Sequence, residues 1–221
     1  MKQLVLDLAL PEPEPFSDFA PGENAELLFQ LHEWTARAAH ARFIYLWGEA
    51  GCGKSHLLAA AARRGSALLV NAATAALPEE IAPDSLLAVD NVDRLDRAGQ
   101  EKLFAHFNAL RAGSGGLLAS GPLPPLLLTI LPDLATRLGW GLVYQLKSLN
   151  DPDKARALRT HARQLGFELS DDQADYLLRH APRDIASLYH LLEQANELAL
   201  SRQKPVTLPL LRETLQAKNI Y

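Results

Sequence analysis

The sequence of 221 residues lacks the usual marks of disulfide-bonded, metal-binding and membrane proteins. Cys52 is its single cysteine, which excludes an internal disulfide and a cysteine zinc site. The seven histidines have no metal-ligand spacing, no apolar run reaches the ~18 residues of a membrane span, and no signal sequence is present. The net charge is −4 with a pI of about 6.0, so the basic excess typical of nucleic-acid-binding domains is missing. These absences predict a soluble, cytoplasmic protein that does not interact with membranes.

The first twenty residues form a predicted tail. Leucine recurs at every second position between residues 3 and 10, which is the period of an extended segment. Three prolines between residues 11 and 15 predict a semi-rigid spacer. From the pattern alone, this peptide is a recognition segment that binds through Gln3, Leu4, Leu6 and Leu8, an edge strand of the protein's own sheet, or disordered.

Residues 21–149 predict an α/β base domain. Short apolar runs at 43–47, 67–70, 86–89, 117–120 and 142–146 are typical of buried strands. Helical patterns lie between or beside them, at 24–39, 55–64 and 100–111. Continuous apolar strands that alternate with helices indicate a parallel sheet covered on both faces.

Residues 150–221 predict a small all-helical domain. No strand pattern follows Leu149, and residues 153–164, 171–180, 182–201 and 208–217 all have helical periodicity. Ser170 and Gln173 have the spacing of a capping box. The change of composition at residues 150–152, where a proline disfavours continuing a helix, places the domain boundary there.

Residues 48–55 fit the phosphate-binding pattern G-x-x-x-x-G-K-[ST] in full, between a predicted strand and a predicted helix. Its glycines allow a tight turn that points backbone amides at phosphate, Lys54 reaches the β- and γ-phosphates, and the Ser55 hydroxyl ligates Mg²⁺. The candidate nucleotide-binding residues of this P-loop are Gly48, Ala50, Gly51, Cys52, Gly53, Lys54, Ser55 and His56, although the His56 ring itself is expected to be structural.

Asp90 ends an apolar strand and is the candidate Walker B carboxylate, which holds Mg²⁺ directly or through water together with Ser55. The next residue, Asn91, stands where many ATPases have a glutamate that activates the attacking water. An amide cannot accept a proton and at most orients water. The sequence therefore predicts weak or absent intrinsic ATP hydrolysis, which leaves the classification as an enzyme open.

Five segments together carry a family resemblance. They are residues 16–24, residues 45–58 around the P-loop, Asp90-Asn91, residues 134–141, and Arg183-Asp184-Ile185. With these segments the chain resembles AAA+ proteins of the DnaA branch over nearly its whole length, and most closely the Hda family of DnaA-related regulators. The resemblance implies a five-stranded parallel sheet in the order 5-1-4-3-2, followed by a helical lid.

The resemblance also assigns expected roles to residues. Phe19 and Asn24 would lie beside the nucleotide, Arg183 would contact it from the lid, and Ser120 would be the sensor 1 residue. Pro122 and Leu123 replace the Asp-Arg pair that is common in the family after this position, which weakens the sensor 1 assignment. Arg137 would act as an arginine finger on ATP bound to a neighbouring protein. Taken by itself, a lone arginine beside Trp140 is most often a surface residue whose stem covers an aromatic ring.

The implied function is negative regulation of replication initiation. The chain, with bound ADP or ATP and Mg²⁺, would dock by its N-terminal peptide on the β sliding clamp of DNA polymerase III and promote hydrolysis of DnaA-bound ATP. The sequence stops after the lid, so DNA is expected to be reached through the clamp and nucleoid association to be indirect. Assembly with further copies of the chain is left open. Two alternatives remain: an autonomous AAA+ ATPase acting as a loader or remodeller, and an adaptor whose P-loop is a relic.

Overall fold

A five-stranded parallel sheet is the centre of the computed structural model, which describes Phe16, residues 19–182 and residues 184–218. The strands are β1 (Phe43–Trp47), β2 (Leu68–Asn71), β3 (Leu86–Asp90), β4 (Gly116–Gly121) and β5 (Leu142–Gln145). They are ordered β2-β3-β4-β1-β5. This is the predicted order 5-1-4-3-2 counted from the other edge, so the predicted sheet is confirmed.

Helices cover both faces of the sheet, and four more helices follow it. The helices are α1 (Ala25–Thr35), α2 (Lys54–Gly65), α3 (Arg97–Ala112), α4 (Pro132–Leu138), α5 (Asp151–Gln164), α6 (Asp171–His180), α7 (Ile185–Ser201) and α8 (Leu208–Lys218). Helices α5–α8 bury their own apolar cluster around Leu158, Leu177 and Leu192. No helix among the described residues is long and apolar enough to cross a membrane.

Strand β1 shows why the predicted strands are apolar throughout. Ile44 and Leu46 pack into the cluster formed with α1 and α2, whereas Phe43 and Tyr45 pack into the cluster formed with α3 and α4. Because successive side chains point to opposite faces and both faces are covered, each position must be hydrophobic. The same arrangement brings the carboxyl ends of the strands, which hold the candidate site residues, to one edge.

The helix ends follow their caps more closely than their apolar pattern. The predicted capping box is present: the Ser170 hydroxyl accepts from the Gln173 backbone amide, and the Gln173 side chain accepts from the Ser170 amide. Helix α3 begins three residues before its prediction because the Asp96 carboxylate caps it by accepting from the Gly99 amide. Helix α7 begins at Ile185 instead of residue 182 because Asp184 is its cap.

Candidate nucleotide site

The P-loop turns from β1 into α2 with a backbone that requires glycine. Gly51 has φ +76° and Gly53 has φ +105°, both in the left-handed region that glycine adopts without a steric penalty. A Cβ atom on Gly51 would lie 2.8 Å from the Cβ of Asp184, and one on Gly53 would lie 3.0 Å from the Phe19 ring. The loop therefore leaves a backbone cradle at the N-terminus of α2, which is the geometry that binds phosphate. The residues fit a nucleotide phosphate on this ground.

Lys54 is folded back onto its own loop. Its Nζ atom donates to the carbonyl oxygens of Gly48 and Glu49, each at 2.8 Å, and lies 3.7 Å from the Cys52 sulfur. The three contacts hold the ammonium group at the mouth of the cradle. A phosphate bound there would replace neutral carbonyl acceptors by charged oxygens, which form stronger hydrogen bonds with an ammonium group.

A polar network lies at the carboxyl edge of β2, β3 and β4. The Ser120 hydroxyl donates to the Asp90 carboxylate, and the Asn91 backbone amide lies 3.1 Å from Asp90 Oδ1 and 3.3 Å from Ser120 Oγ. Asp90 and Ser120 are both buried. The network fixes the Walker B candidate and explains why a polar residue stands at position 120, within an otherwise apolar strand.

Asn71, at the end of β2, is a part of this network that the sequence analysis missed. Its Oδ1 accepts from the Asn91 side-chain amide at 3.1 Å and from the Ala73 backbone amide at 3.0 Å. Asn91 has φ +57°, a left-handed conformation that asparagine tolerates better than most residues. The only sequence signal for Asn71 is a polar residue directly after a strand.

A cavity of about 700 Å³ opens above the P-loop, and we call it the P-loop cavity. Its walls come from the P-loop, the segment before α1, the end of β3, and two helices of the lid. Residues 147–149, which follow β5 and which we call the hinge, complete the walls. The lining residues are Phe19, Ala20, Glu49 to His56, Asn91, Lys147, Ser148, Leu149, Lys154, Asp184, Ile185, Ala186 and Tyr189. Polar groups come from the P-loop, the segment after β5 and the lid, and Leu149, Ile185 and Tyr189 add apolar lining suited to a base.

The predicted nucleotide-binding residues divide into two groups. Phe19 and the P-loop residues from Ala50 to His56 line the P-loop cavity, and the rings of Phe19 and His56 stack with centroids 6.2 Å apart. Gly48 and Asp90 are not among the residues that line the cavity. Asn24 connects the segment before α1 to the backbone after β5. Its side chain donates to the Lys147 carbonyl at 3.0 Å and accepts from the Lys147 amide at 2.9 Å. Asn24 thereby fixes the start of the hinge.

The hinge residues and Lys154 are further lining groups that the sequence analysis missed. Lys147 Nζ lies 2.6 Å from Glu23 Oε2, and this hydrogen bond and charge lower the pKa of Glu23 below its ordinary value. Lys154 belongs to the first turn of α5. Neither lysine is part of a contiguous motif, so nothing in the local sequence distinguishes them from surface lysines.

Arg137 lies on α4 and is not among the residues that line the P-loop cavity. Its guanidinium carbon is 5.6 Å from the Phe104 ring centroid and 5.9 Å from that of Phe107. Arg111 is placed similarly, 4.6 Å above the half-exposed ring of Trp140. These cation–π contacts place one guanidinium group over two rings of α3 and the other over Trp140, which follows α4.

Several predicted residues lie outside the part of the chain that the structure describes. They are Gln3, Leu4, Leu6 and Leu8 of the tail, and Arg183. Their expected roles stay predictions. The described residues contain no group of three or more His, Cys, Asp or Glu side chains arranged to hold a metal ion, so Mg²⁺ binding by Ser55 and Asp90 also stays a prediction.

Comparisons with known proteins agree with this geometry. A family model described as the Hda lid domain matches residues 151–215. Domain III of the replication initiation protein DnaA from Thermotoga maritima superposes with a TM-score of 0.76 at 17% identity, over 93% of this chain and 97% of that chain. A replication initiator DnaA bound to AMPPCP and single-stranded DNA matches with a TM-score of 0.68 at 20% identity, over 89% of this chain and 69% of that chain. The Holliday junction branch migration motor RuvB of Thermotoga maritima matches with a TM-score of 0.65 at 15% identity, over 89% of this chain and 68% of that chain.

Proposed function

We propose that this chain, an Hda/DnaA-like AAA+ protein, is a negative regulator of replication initiation that promotes hydrolysis of ATP bound to DnaA. The observation that carries the proposal is the separation of two parts. A P-loop cavity that fits a nucleotide lacks a proton acceptor at Asn91, while Arg137 stands on a different surface. Such a protein would bind a nucleotide in its own P-loop cavity and would present the Arg137 guanidinium to ATP bound by its partner.

In this proposal, the bound nucleotide has a structural role. The P-loop amides and Lys54 hold the phosphates, Ser55 and Asp90 hold Mg²⁺, and Arg183 contacts the nucleotide from the lid. ADP is the form that favours activity by family resemblance. The proposed domains are the tail (1–20), the base (21–149) and the lid (150–221), so the nucleotide lies where base and lid meet. Self-assembly is left open.

Arg137 supplies the proposed chemistry in the partner's site. A guanidinium group placed on the γ-phosphate of ATP stabilises the charge of the transition state, an effect of about 10³–10⁵ in rate in other phosphoryl-transfer systems. The Arg137 guanidinium lies over the rings of Phe104 and Phe107, and the proposal requires that it reach a partner's site from this position.

In this proposal, the N-terminal tail attaches the chain to the sliding clamp. Gln3 donates or accepts at the rim of a groove on the sliding clamp, and Leu4, Leu6 and Leu8 fill it as an extended peptide. The proline spacer keeps this peptide away from the base domain. The chain then works in the cytoplasm, associated with the nucleoid through the clamp.

A reconstituted assay tests the catalytic part. ATP bound to DnaA is followed in the presence of DNA-loaded clamp and this protein with ADP. We expect acceleration by the wild type and, for Arg137→Ala, a loss of at least about 10²-fold. Arg212→Ala is the matched control, because Arg212 lies 5.2 Å above the Tyr176 ring in the lid and makes the same kind of contact. Acceleration that survives Arg137→Ala would refute the mechanism.

A pull-down with the clamp tests the attachment. Deletion of residues 1–10 should abolish clamp binding while leaving ADP affinity unchanged, because the described lining of the P-loop cavity begins at Phe19 and the deletion keeps the P-loop intact. Clamp binding that persists after the deletion contradicts the proposal. Substantial ATP turnover by the purified protein alone would instead favour the alternative function as an autonomous loader or remodeller.

A further inference from the structure

We propose that Lys154 binds the phosphates of the nucleotide from the lid side of the P-loop cavity, and so ties the position of the lid helices to nucleotide occupancy. The inference rests on the proposed nucleotide binding. It concerns a lysine outside every motif that the sequence analysis identified.

Three lysines are among the described residues that line the P-loop cavity, and the side chains of two of them already bind other groups of the protein. Lys54 donates to two P-loop carbonyls at 2.8 Å. Lys147 forms an ion pair with Glu23 at 2.6 Å. Lys154 has neither a hydrogen bond from its side chain nor an ion pair within the described residues. Among the described lysines that line this cavity, Lys154 is therefore the one whose charge is left for a ligand.

The carboxylates near Lys154 are already engaged. Asp153 Oδ1 accepts from Arg156 Nη2 at 2.9 Å, and Asp184 Oδ1 accepts from the Ser187 amide as the cap of α7. Asp151 also has an interaction of its own. Lys154 is half-buried as a residue, and a lysine charge that no described protein group pairs favours an anionic ligand. In a cavity bounded by a P-loop, that anion is a phosphate.

The backbone of Lys154 is fixed to the lid. Its amide donates to the Asn150 carbonyl at 2.9 Å at the start of α5, and the adjacent Ala155 and the nearby Leu158 are buried in the lid cluster. The P-loop, by contrast, belongs to the sheet and α2. A phosphate held by both the P-loop amides and Lys154 would join the two parts of the chain across the hinge at residues 147–149.

The test is isothermal titration of the full chain with ADP and with adenosine, at low and high salt. Lys154→Ala and Lys154→Gln should weaken ADP binding by about tenfold at low salt, which is the range of one charge-assisted hydrogen bond. They should leave adenosine affinity unchanged, because adenosine carries no phosphate. Lys154→Arg should restore most of the ADP affinity. Lys204→Ala, a change at an exposed lid lysine, is the matched control and should bind ADP like the wild type.

Hydrogen exchange measures the coupling between nucleotide binding and the lid. Saturating ADP should protect the amides of α5 from hydrogen exchange in the wild type and clearly less in Lys154→Ala. Unchanged ADP affinity in Lys154→Ala, or equal losses for ADP and adenosine, would overturn the inference. A wild-type chain that binds neither ADP nor ATP would instead refute the proposed nucleotide binding itself, so the two failures are distinguishable.

Discussion

At the carboxyl edge of the sheet, a single residue underlies the prediction of weak nucleotide hydrolysis. Asn91 stands directly after the buried Asp90, and its side-chain amide is held by Asn71 Oδ1 at 3.1 Å. An amide fixed in this way has no basic atom to take a proton from water. The structure thus gives a local reason for the weak hydrolysis that the sequence predicts.

Replacing Asn91 by glutamate should raise intrinsic ATP hydrolysis by at least about tenfold, since general bases contribute about 10²–10⁴ in rate when well placed. The gain is expected to be partial, because glutamate tolerates the left-handed backbone at position 91 less well than asparagine. Release of phosphate by the purified variant is the measurement. Asn91→Gln has the same length without the base and is the control. If Asn91→Glu and Asn91→Gln turn over ATP equally slowly, the missing base is not what limits hydrolysis.

Whether a site residue could be predicted depends on how its signal is distributed along the sequence. The P-loop was predictable because its glycines, Lys54 and Ser55 are contiguous in a single phosphate-binding pattern. Asn71 and Lys154 are single polar residues at the ends of elements, and their positions beside the P-loop cavity or its polar network arise from tertiary proximity. Asn24 was predicted to lie beside the nucleotide, yet its amide is occupied by the Lys147 backbone.

At the scale of elements, the buried strands were the most predictable part. In β1, β3 and β4 nearly every side chain is buried, which leaves a continuous apolar run in the sequence. Strand β2 is harder to delimit, because it is an edge strand with Leu68 and Leu69 exposed. It covers Leu68–Asn71, one residue later at each end than its prediction.

Helix α4 shows a limit of periodicity. It has seven residues, starts with Pro132 at its first position and buries Leu134, Ala135 and Leu138. Such a helix is too short for a repeating apolar stripe, so its sequence was identified by family resemblance and not by pattern. Its packing against α3 creates the aromatic surface under Arg137, which no single segment could reveal.

At the scale of the whole molecule, the base and the lid meet at the P-loop cavity. The lid contributes Asp184, Ile185, Tyr189 and Lys154 to the lining, and the base contributes the P-loop. Asp184 approaches so closely that a Cβ atom on Gly51 would lie 2.8 Å from its own Cβ. A ligand in the P-loop cavity therefore contacts both parts of the chain.

Nucleotide binding should consequently stabilise the whole chain against unfolding. A ligand that binds the folded state at 100 times its dissociation constant adds about 2.7 kcal/mol, which for a chain of this size corresponds to a rise in Tm of about 5–10 °C. Calorimetric melting with and without ADP and Mg²⁺ measures it. Lys54→Ala should melt at a temperature that ADP does not change, and its own Tm without ADP shows whether the P-loop has kept its structure.

The same melting experiment separates the proposed function from the adaptor with a relic P-loop. If ADP raises the Tm of the wild type and fails to raise that of Lys54→Ala, the intact P-loop is in use. The base and the lid should then respond together, because the cavity is lined by both. A wild-type Tm that stays constant at millimolar ADP and ATP would mean that the glycine-rich turn no longer binds nucleotide. Any effect on DnaA would then have to act without it.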